Sequence, residues 1–369
     1  MNSNNNTPIG VYVHVPFCEK KCPYCDFYSS PGNEKKYDEY TSAAGEMIAY
    51  CGKTLDRTAD TLYFGGGTPS LLGAERLGKL IKASEAAFGG SFREVTVEVN
   101  PSREDFDFAA LRRAGADRIS IGLQSANEDE LKLLGRTHGA YEAKKCIVSA
   151  RKAGFENISL DLMIALPGQT GESLRRSVQF CAENNAEHIS AYILKTEPGT
   201  VFYKKRDSLA LPDDDEAAEM YEYFCSLMKE YGYRHYEISN VCRNGRRGLH
   251  NLKYWRDEEY IGIGPSAHSF IDGRRFYYPR SMKAFLENKT VEDGPGGDIE
   301  EFIMLGLRLD EGITKERFFL RFGTDIPEKY TAAAKKLQQA GLADVRDGGI
   351  RLTEKGFLLS NSVILSILG

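Results

Sequence analysis

Val15-Pro-Phe-Cys18-Glu-Lys-Lys-Cys22-Pro-Tyr-Cys25-Asp-Phe27 places three cysteines on one short segment, spaced C-x3-C-x2-C, directly after an apolar strand. Thiolates so spaced can wrap one 4Fe–4S cubane and ligate three of its four irons, because iron–sulfur clusters prefer cysteine sulfur. A closed electron-transfer cluster usually has a fourth cysteine, and none follows nearby. The remaining iron is then open to an external ligand that chelates through amine and carboxylate groups. A structural zinc site is the competing reading, although zinc motifs more often show two separated cysteine pairs. The other five cysteines (Cys51, Cys146, Cys181, Cys225, Cys242) are scattered and read as small core residues.

Around this loop, short apolar strands alternate with longer helical segments from residue 9 to about 195. Strands are expected at Gly10–Pro16, Thr61–Gly65, Glu94–Asn100, Arg118–Gln124, Asn157–Ala165 and His188–Leu194, with helices such as Lys35–Cys51, Ala74–Phe88, Arg103–Ala114 and Tyr141–Ala153 between them. Six βα units in series predict a parallel sheet with helical crossovers, an α/β fold of the TIM type built as a partial (β/α)6 barrel, closed or nearly so. The cysteine loop then sits at a strand's C-terminal end, where such folds place their chemistry.

Strand parity sorts the side chains, because alternate residues face opposite sides. Val95, Val97 and Val99 oppose Thr96 and Glu98, and Ile119, Ile121 and Leu123 oppose Ser120, Gly122 and Gln124. Ile158, Leu160 and Leu162 oppose Ser159 and Asp161, while Val11, Val13 and Val15 oppose Tyr12 and His14. The aliphatic rows are expected to face the helices and the polar rows the lumen. Unpaired carboxylates are costly to bury, so Glu98 and Asp161 need lumenal partners, either a polar ligand or basic side chains.

With 369 residues the chain is long for one domain. We expect a disordered tail over 1–8, the barrel over 9–235, an extension over 236–297 and a C-terminal domain over 298–369. The run from Asp213 to Glu216 reads as a helix start, and Gly294-Pro-Gly-Gly297 as a linker. The C-terminal pattern of helices followed by a hairpin turning at Gly348-Gly349 predicts a winged-helix-like α+β domain. The net charge of −5 supplies no field for nucleic acid. No signal peptide and no apolar run near the roughly 18 residues of a membrane span are visible, so the expectation is a cytoplasmic protein, with peripheral membrane contact left open.

The cysteine spacing resembles the signature of the radical SAM superfamily, and the resemblance covers about residues 9–270. Phe64-Gly65-Gly66-Gly67-Thr68-Pro69 resembles the family's glycine-rich segment after the second strand. The resemblance implies a 4Fe–4S cluster on Cys18, Cys22 and Cys25. It also implies S-adenosylmethionine contacts at Tyr12, Tyr24, Gly66, Gly67, Thr68, Glu98, Gln124, Arg136 and Asp161. In that superfamily the reduced cluster cleaves the sulfonium to an adenosyl radical. Glu98 can accept from the ammonium or ribose hydroxyls, Arg136 can pair with the carboxylate, and Asp161 and Gln124 can bind ribose.

Two groups within the superfamily fit, the oxygen-independent coproporphyrinogen III oxidases and the heme chaperones that resemble them. The oxidases carry a further cysteine two residues beyond the third ligand, where this chain has Phe27, and a longer extension before the cysteine loop. His250-Asn251-Leu252-Lys253-Tyr254-Trp255 resembles the chaperones' H-N-x-x-Y-W motif. The resemblance implies heme binding and transfer to apo-hemoproteins, respiratory ones among them. His250 is the candidate axial ligand, with Tyr254 and Trp255 against the macrocycle and Arg243, Arg246 and Arg247 near the propionates. Cys242 is an alternative soft ligand. A capped turn whose aromatics pack on the barrel is the plainer reading of the same motif.

Overall fold

Between Ile9 and Ile193 the chain alternates strand and helix, as the patterning predicts, in a computed structural model that describes residues 7–102 and 105–369. The strands are β1 (Ile9–Val15), β2 (Ala59–Gly66), β3 (Glu94–Val99), β4 (Arg118–Gln124), β5 (Asn157–Ile164) and β6 (His188–Ile193). They lie side by side and all parallel. The intervening helices are α1 (Glu34–Leu55), α2 (Gly73–Phe88), α3 (Phe108–Arg113), α4 (Glu128–Leu133), α5 (Ala140–Lys152) and α6 (Gly171–Glu183). The helix expected from Arg103 begins only at Phe108, because the Asp107 carboxylate accepts from the Ala110 amide and caps it there. Arg103 and Glu104 lie outside the described residues.

Burial follows the parity. The odd-numbered valines of β1 and β3, and Ile119, Ile121, Ile158 and Leu160, join one apolar core with Tyr40, Ile48, Leu77 and Ile81 of the helices. The opposite rows face inward and bond one another. Tyr63 Oη donates to Glu98 (2.9 Å), Ser120 Oγ to Asp161 (3.1 Å) and Arg118 to Thr96 (3.5 Å).

The sheet is open rather than nearly closed, and the region after residue 232 widens it on both sides. Tyr260–Ile263 pairs parallel to the outer edge of β1, and three antiparallel strands follow it (His268–Ile271, Arg274–Tyr277, Val291–Pro295). Asn240–Cys242 and Arg234–His235 extend the β6 edge antiparallel. The presumed linker is structured too: Gly294 and Pro295 end an edge strand, and the Gly297 amide donates to Glu301 at 2.7 Å.

Of the expected disordered tail, Thr7 and Pro8 are held, their carbonyls accepting from Arg57 (2.9 Å) and Lys253 (3.0 Å). Residues 1–6 lie outside the described residues. The C-terminal helices (Ile299–Gly306, Lys315–Phe322, Glu328–Gln339) and hairpin (Ala343–Arg346, Gly349–Leu352) enclose their own apolar cluster around Phe302, Phe318, Ile350 and Ile364. Two further helices, Glu354–Leu358 and Ser360–Leu368, follow the hairpin. The hairpin turns one residue earlier than expected. Arg346 pairs with Gly349, so Asp347 and Gly348, both with positive φ, form the loop. Among the described residues no helix is long and apolar enough to cross a membrane.

Packing of α1 on α2 supplies a test in which two effects oppose. A methyl on helical Gly52 ordinarily gains about 1 kcal/mol. Here its Cβ would lie 2.4 Å from the Ala87 carbonyl oxygen, a backbone atom that cannot swing away. Overpacking of this kind costs about 1–3 kcal/mol, so Gly52→Ala should lower the melting temperature. A calorimetric scan showing a higher melting temperature would contradict this packing.

Candidate cofactor site

The cysteine loop leaves β1 and is tied down at both ends. Ser30 N donates to Pro16 O (2.9 Å) and Cys18 N to Ser30 O (3.2 Å), which closes the loop's neck. The glycine-rich segment after β2 lies against that neck, with Gly67 N on Val15 O (2.8 Å) and Thr68 N on Phe17 O (2.7 Å). A Cβ on Gly67 would meet Phe17 O at 2.5 Å, and one on Gly66 would meet the His14 ring at 2.6 Å, with Gly66 at φ +106°. Close backbone approach therefore requires glycine at both positions, whatever the segment also does for a ligand. Outside the neck, His14 Nε2 contacts Tyr28 O (3.0 Å), Phe202 N donates to Pro23 O (2.9 Å) and Arg280 pairs with Asp26 (3.2 Å).

Cys18, Cys22 and Cys25 are free thiols, each half-buried. Cys18 Sγ lies 3.6 Å from Thr68 Oγ1 and Cys22 Sγ 3.7 Å from Arg136 Nη1. Burial raises the Cys25 thiol, opposed by a hydrogen bond from the Phe27 amide. Among the described residues no three His, Cys, Asp or Glu side chains converge as ligands of a single ion. Three cysteine sulfurs on one loop are donors of the kind an iron–sulfur cubane takes. The Phe27 side chain, where a fourth cysteine would stand, is 67% exposed.

Arg136 joins this loop to the lumen. Its Nη2 donates to Gly122 O (2.8 Å) and Asn100 Oδ1 (3.3 Å), while its buried Nε has no partner. With Cys22, Thr68, Asn100 and Thr137 it lines a cleft beside the cysteines. An unsatisfied guanidinium N–H is what a ligand carboxylate would complete. Gln124, at the end of β4, takes φ +69°, an uncommon conformation for a residue with a side chain.

Below the loop, Glu98 and Asp161 are surrounded by protein yet keep some accessible surface, so they line a cavity rather than a packed core. Burial, then the Asp161 charge, pushes Glu98 up to about 7, against the hydrogen bonds from Tyr63 and the Gly66 amide. Asp161 is raised by burial and restrained by Ser190 and Ser120. Tyr12 contacts His14 (3.2 Å) and lies against Tyr63, while Tyr24 packs near Phe202. Burial raises both phenols. The structure thus brings Tyr12, Glu98 and Asp161 into the lumen, with Tyr24, Gly66, Gly67, Thr68 and Arg136 around its mouth.

Sequence reasoning missed Arg118, Tyr63, Ser190 and Tyr192. Arg118 is 2% exposed, and its positive charge lowers both Glu98 and Asp161. Tyr192, on β6, raises the Tyr63 phenol. The signal was present: each continues the inward row of its own strand, by the rule that found Glu98.

The H-N-x-x-Y-W segment does not form an open heme surface. It is the helix Leu249–Trp255, wedged against the N-terminal ends of the strands, opposite the cysteine loop. Glu94 accepts from the Leu249 (2.9 Å) and His250 (3.0 Å) amides, and Lys253 pairs with Asp60 (2.8 Å). His250 has no exposed surface. Its Nδ1 lies 2.9 Å from Thr61 Oγ1 and its Nε2 2.7 Å from Tyr254 Oη, so neither nitrogen is free for iron. Burial, aided by Lys253, lowers it to about 3. Tyr254 is committed to this bond, and Trp255 is half-buried under Arg308 (5.7 Å). Nor do the three arginines form a cluster for propionates. Arg247 pairs with Asp310, Arg246 lies near Glu156, and Arg243 stacks over Tyr233 at 4.1 Å. The plainer reading of the motif, aromatics packed on the barrel, describes what is seen, and Cys242 is buried.

Glu98 titration supplies a test. A carboxyl whose folded pKa is about 7, against about 4.3 unfolded, keeps its proton more readily in the native state. Wild-type stability should therefore fall as pH rises from about 4.3 to about 7. Glu98→Gln, a mimic of the protonated form, should gain on wild type across that window, by about 4 kcal/mol at most. Parallel stability curves for the two proteins in ligand-free melts would exclude a shifted Glu98.

The radical SAM superfamily model matches residues 12–181 and the HemN C-terminal domain model residues 298–359. The heme chaperone HemW of Bacillus subtilis (strain 168) is 37% identical over 373 residues, covering 97% of this chain and 98% of that protein. The Escherichia coli (strain K12) heme chaperone HemW is 35% identical, covering 97% of each. In fold the chain is similar to the Escherichia coli coproporphyrinogen III oxidase HemN, a radical SAM enzyme, with TM-score 0.83 and 22% identity over 99% of this chain and 91% of that one. The chain belongs to the radical SAM superfamily and, within it, to the family of the HemW proteins.

Proposed function

We propose that this chain is a heme chaperone, binding heme and passing it to apo-hemoproteins, with a 4Fe–4S cluster and S-adenosylmethionine supporting the transfer. The observation that carries this reading is similarity to HemW proteins over nearly the whole chain, together with an exposed Phe27 in place of a fourth cysteine. Cys18, Cys22 and Cys25 would hold the cluster. Bound there, cluster and S-adenosylmethionine supply one-electron reductive chemistry at the sulfonium.

The chain's own residues do the positioning. The unpartnered Arg136 Nε–H is directed to a carboxylate, and Thr68 stands by Cys18 at the cleft. Tyr12, Gln124, Glu98 and Asp161 offer acceptors to an ammonium and to ribose hydroxyls. The lumenal polar rows below are screened from solvent, which strengthens each of these interactions. Heme ligation is not assigned to His250, whose nitrogens are both engaged. We place the working units at residues 9–235, 236–297 and 298–369 and the protein in the cytoplasm.

Anaerobic reconstitution should return about four iron and four sulfide per chain, and any one of Cys18→Ala, Cys22→Ala or Cys25→Ala should lose most of both. Heme titration followed by absorbance, then transfer to an apo-hemoprotein, should show binding and delivery. Oxidation of coproporphyrinogen III to protoporphyrinogen with S-adenosylmethionine and a reductant would replace this reading with that of an oxidase. His250→Ala should leave the heme spectrum unchanged while lowering the melting temperature.

A further inference from the structure

At the N-terminal ends of β3, β4 and β5, away from the cysteine loop, the chain encloses a cavity of about 410 Å³, closed on one side by the turn 245–249. That size is in the range of small-molecule sites. Charged side chains dominate its wall. Four are arginines: Arg93 just before β3, Arg112 on α3, and Arg246 and Arg247 on the turn. The carboxylates at the same wall are already engaged or turned to solvent. Glu94 accepts from the Leu249 and His250 amides and faces the buried charge of Arg118. Asp117 accepts from the Val95 amide at 2.7 Å. The Glu156 side chain is 86% exposed and comes no nearer to Arg246 than 3.9 Å.

The arginines keep donors to spare. Arg247 has a close carboxylate in Asp310 at 3.0 Å. Arg93 is 3.6 Å from Asp60, which Lys253 holds more closely at 2.8 Å. Arg112 spends its bonds on the neutral carbonyls of Gly154 (3.4 Å) and Ala116 (3.2 Å). Guanidinium groups gathered around one hollow repel one another, and a multiply charged anion relieves that repulsion while taking paired N–H bonds. At the same cavity, Asn157 Oδ1 is buried without a partner. An unmet buried acceptor is costly, and a ligand hydroxyl would complete it. The net charge of −5 gives the chain no general attraction for anions, so binding here has to come from this local set.

We propose that this cavity binds a polyphosphorylated small molecule, its phosphates held by Arg93, Arg112 and Arg246 and a hydroxyl by Asn157. The site does not suit heme, whose macrocycle needs apolar walls. Nor does it suit S-adenosylmethionine, whose sulfonium and ammonium would face guanidinium groups. The phosphate chain is the shared chemistry of a nucleotide and of inorganic polyphosphate. Asn157 favours the nucleotide, because ribose hydroxyls can donate to it and a bare phosphate chain cannot.

Calorimetric titration of the full-length chain with ATP and, separately, with tripolyphosphate in magnesium-free buffer tests the site without any activity assay. Both probes should bind saturably and raise the melting temperature. Arg93→Gln and Arg246→Gln, at side chains 69% and 49% exposed, should fold as wild type does. Each should weaken both probes about tenfold, the loss of one charge-assisted hydrogen bond. Arg346→Gln removes an exposed arginine of the C-terminal hairpin and should change neither affinity. ATP should bind more tightly than tripolyphosphate, and Asn157→Ala should close that gap. Equal affinities in wild type would assign the arginines to inorganic polyphosphate. Absence of saturable binding by either probe would overturn the proposal, as would affinities that Arg93→Gln and Arg246→Gln leave unchanged or that Arg346→Gln lowers equally.

Discussion

A parallel sheet that turns its aliphatic residues out to helices must turn its other residues in, and here that inner row is polar. Glu98, Asp161, Arg118, Tyr63, Ser120 and Ser159 line one interior where water is scarce. Buried polar groups without partners are costly, so they must satisfy one another or hold a ligand. They do the first only in part. Arg118 balances Glu98 and Asp161, yet both carboxyls remain raised, and the Arg118 and Arg136 Nε atoms are unpartnered. An interior built this way favours a ligand that is itself polar and carries both signs of charge.

The mouth of this interior is set by backbone, not by the cysteines. The neck of the cysteine loop is bonded to itself at Cys18–Ser30 and to the glycine segment at Gly67 and Thr68. The thiols are then displayed from a frame already fixed by amide hydrogen bonds, and Arg136 couples that frame to β4 through Gly122 O. Such preorganisation places ligand-binding groups with little ordering left to do on binding.

The far end is closed by the helix Leu249–Trp255. Its amides are capped by Glu94, its lysine bonds Asp60 at the entry to β2, and its histidine stacks on Tyr63. A histidine beside tyrosine and tryptophan looks like a heme ligand in sequence, because the pattern shows which groups are near, not which atoms are free. Both imidazole nitrogens are engaged by Thr61 and Tyr254, residues 189 positions upstream and four downstream. The short contact was legible; the long one was not.

What the sequence determined by itself is everything that depends on local spacing. Alternation on β3 and β5 placed Glu98 and Asp161 on one face, because strand pleating has a period of two; on β4 the register shifts between Ile121 and Gln124, so the rule does not carry through to Gln124. The cysteine spacing marked the loop, and helix and strand succession marked the parallel sheet. What only the tertiary structure decided is pairing across distance: that the sheet stays open and is widened at both edges, that Gly67 packs on Phe17, and that His250 is sealed within the barrel. These depend on which surfaces meet when the chain closes on itself, and residues far apart in sequence carry no local mark of the atoms they will touch.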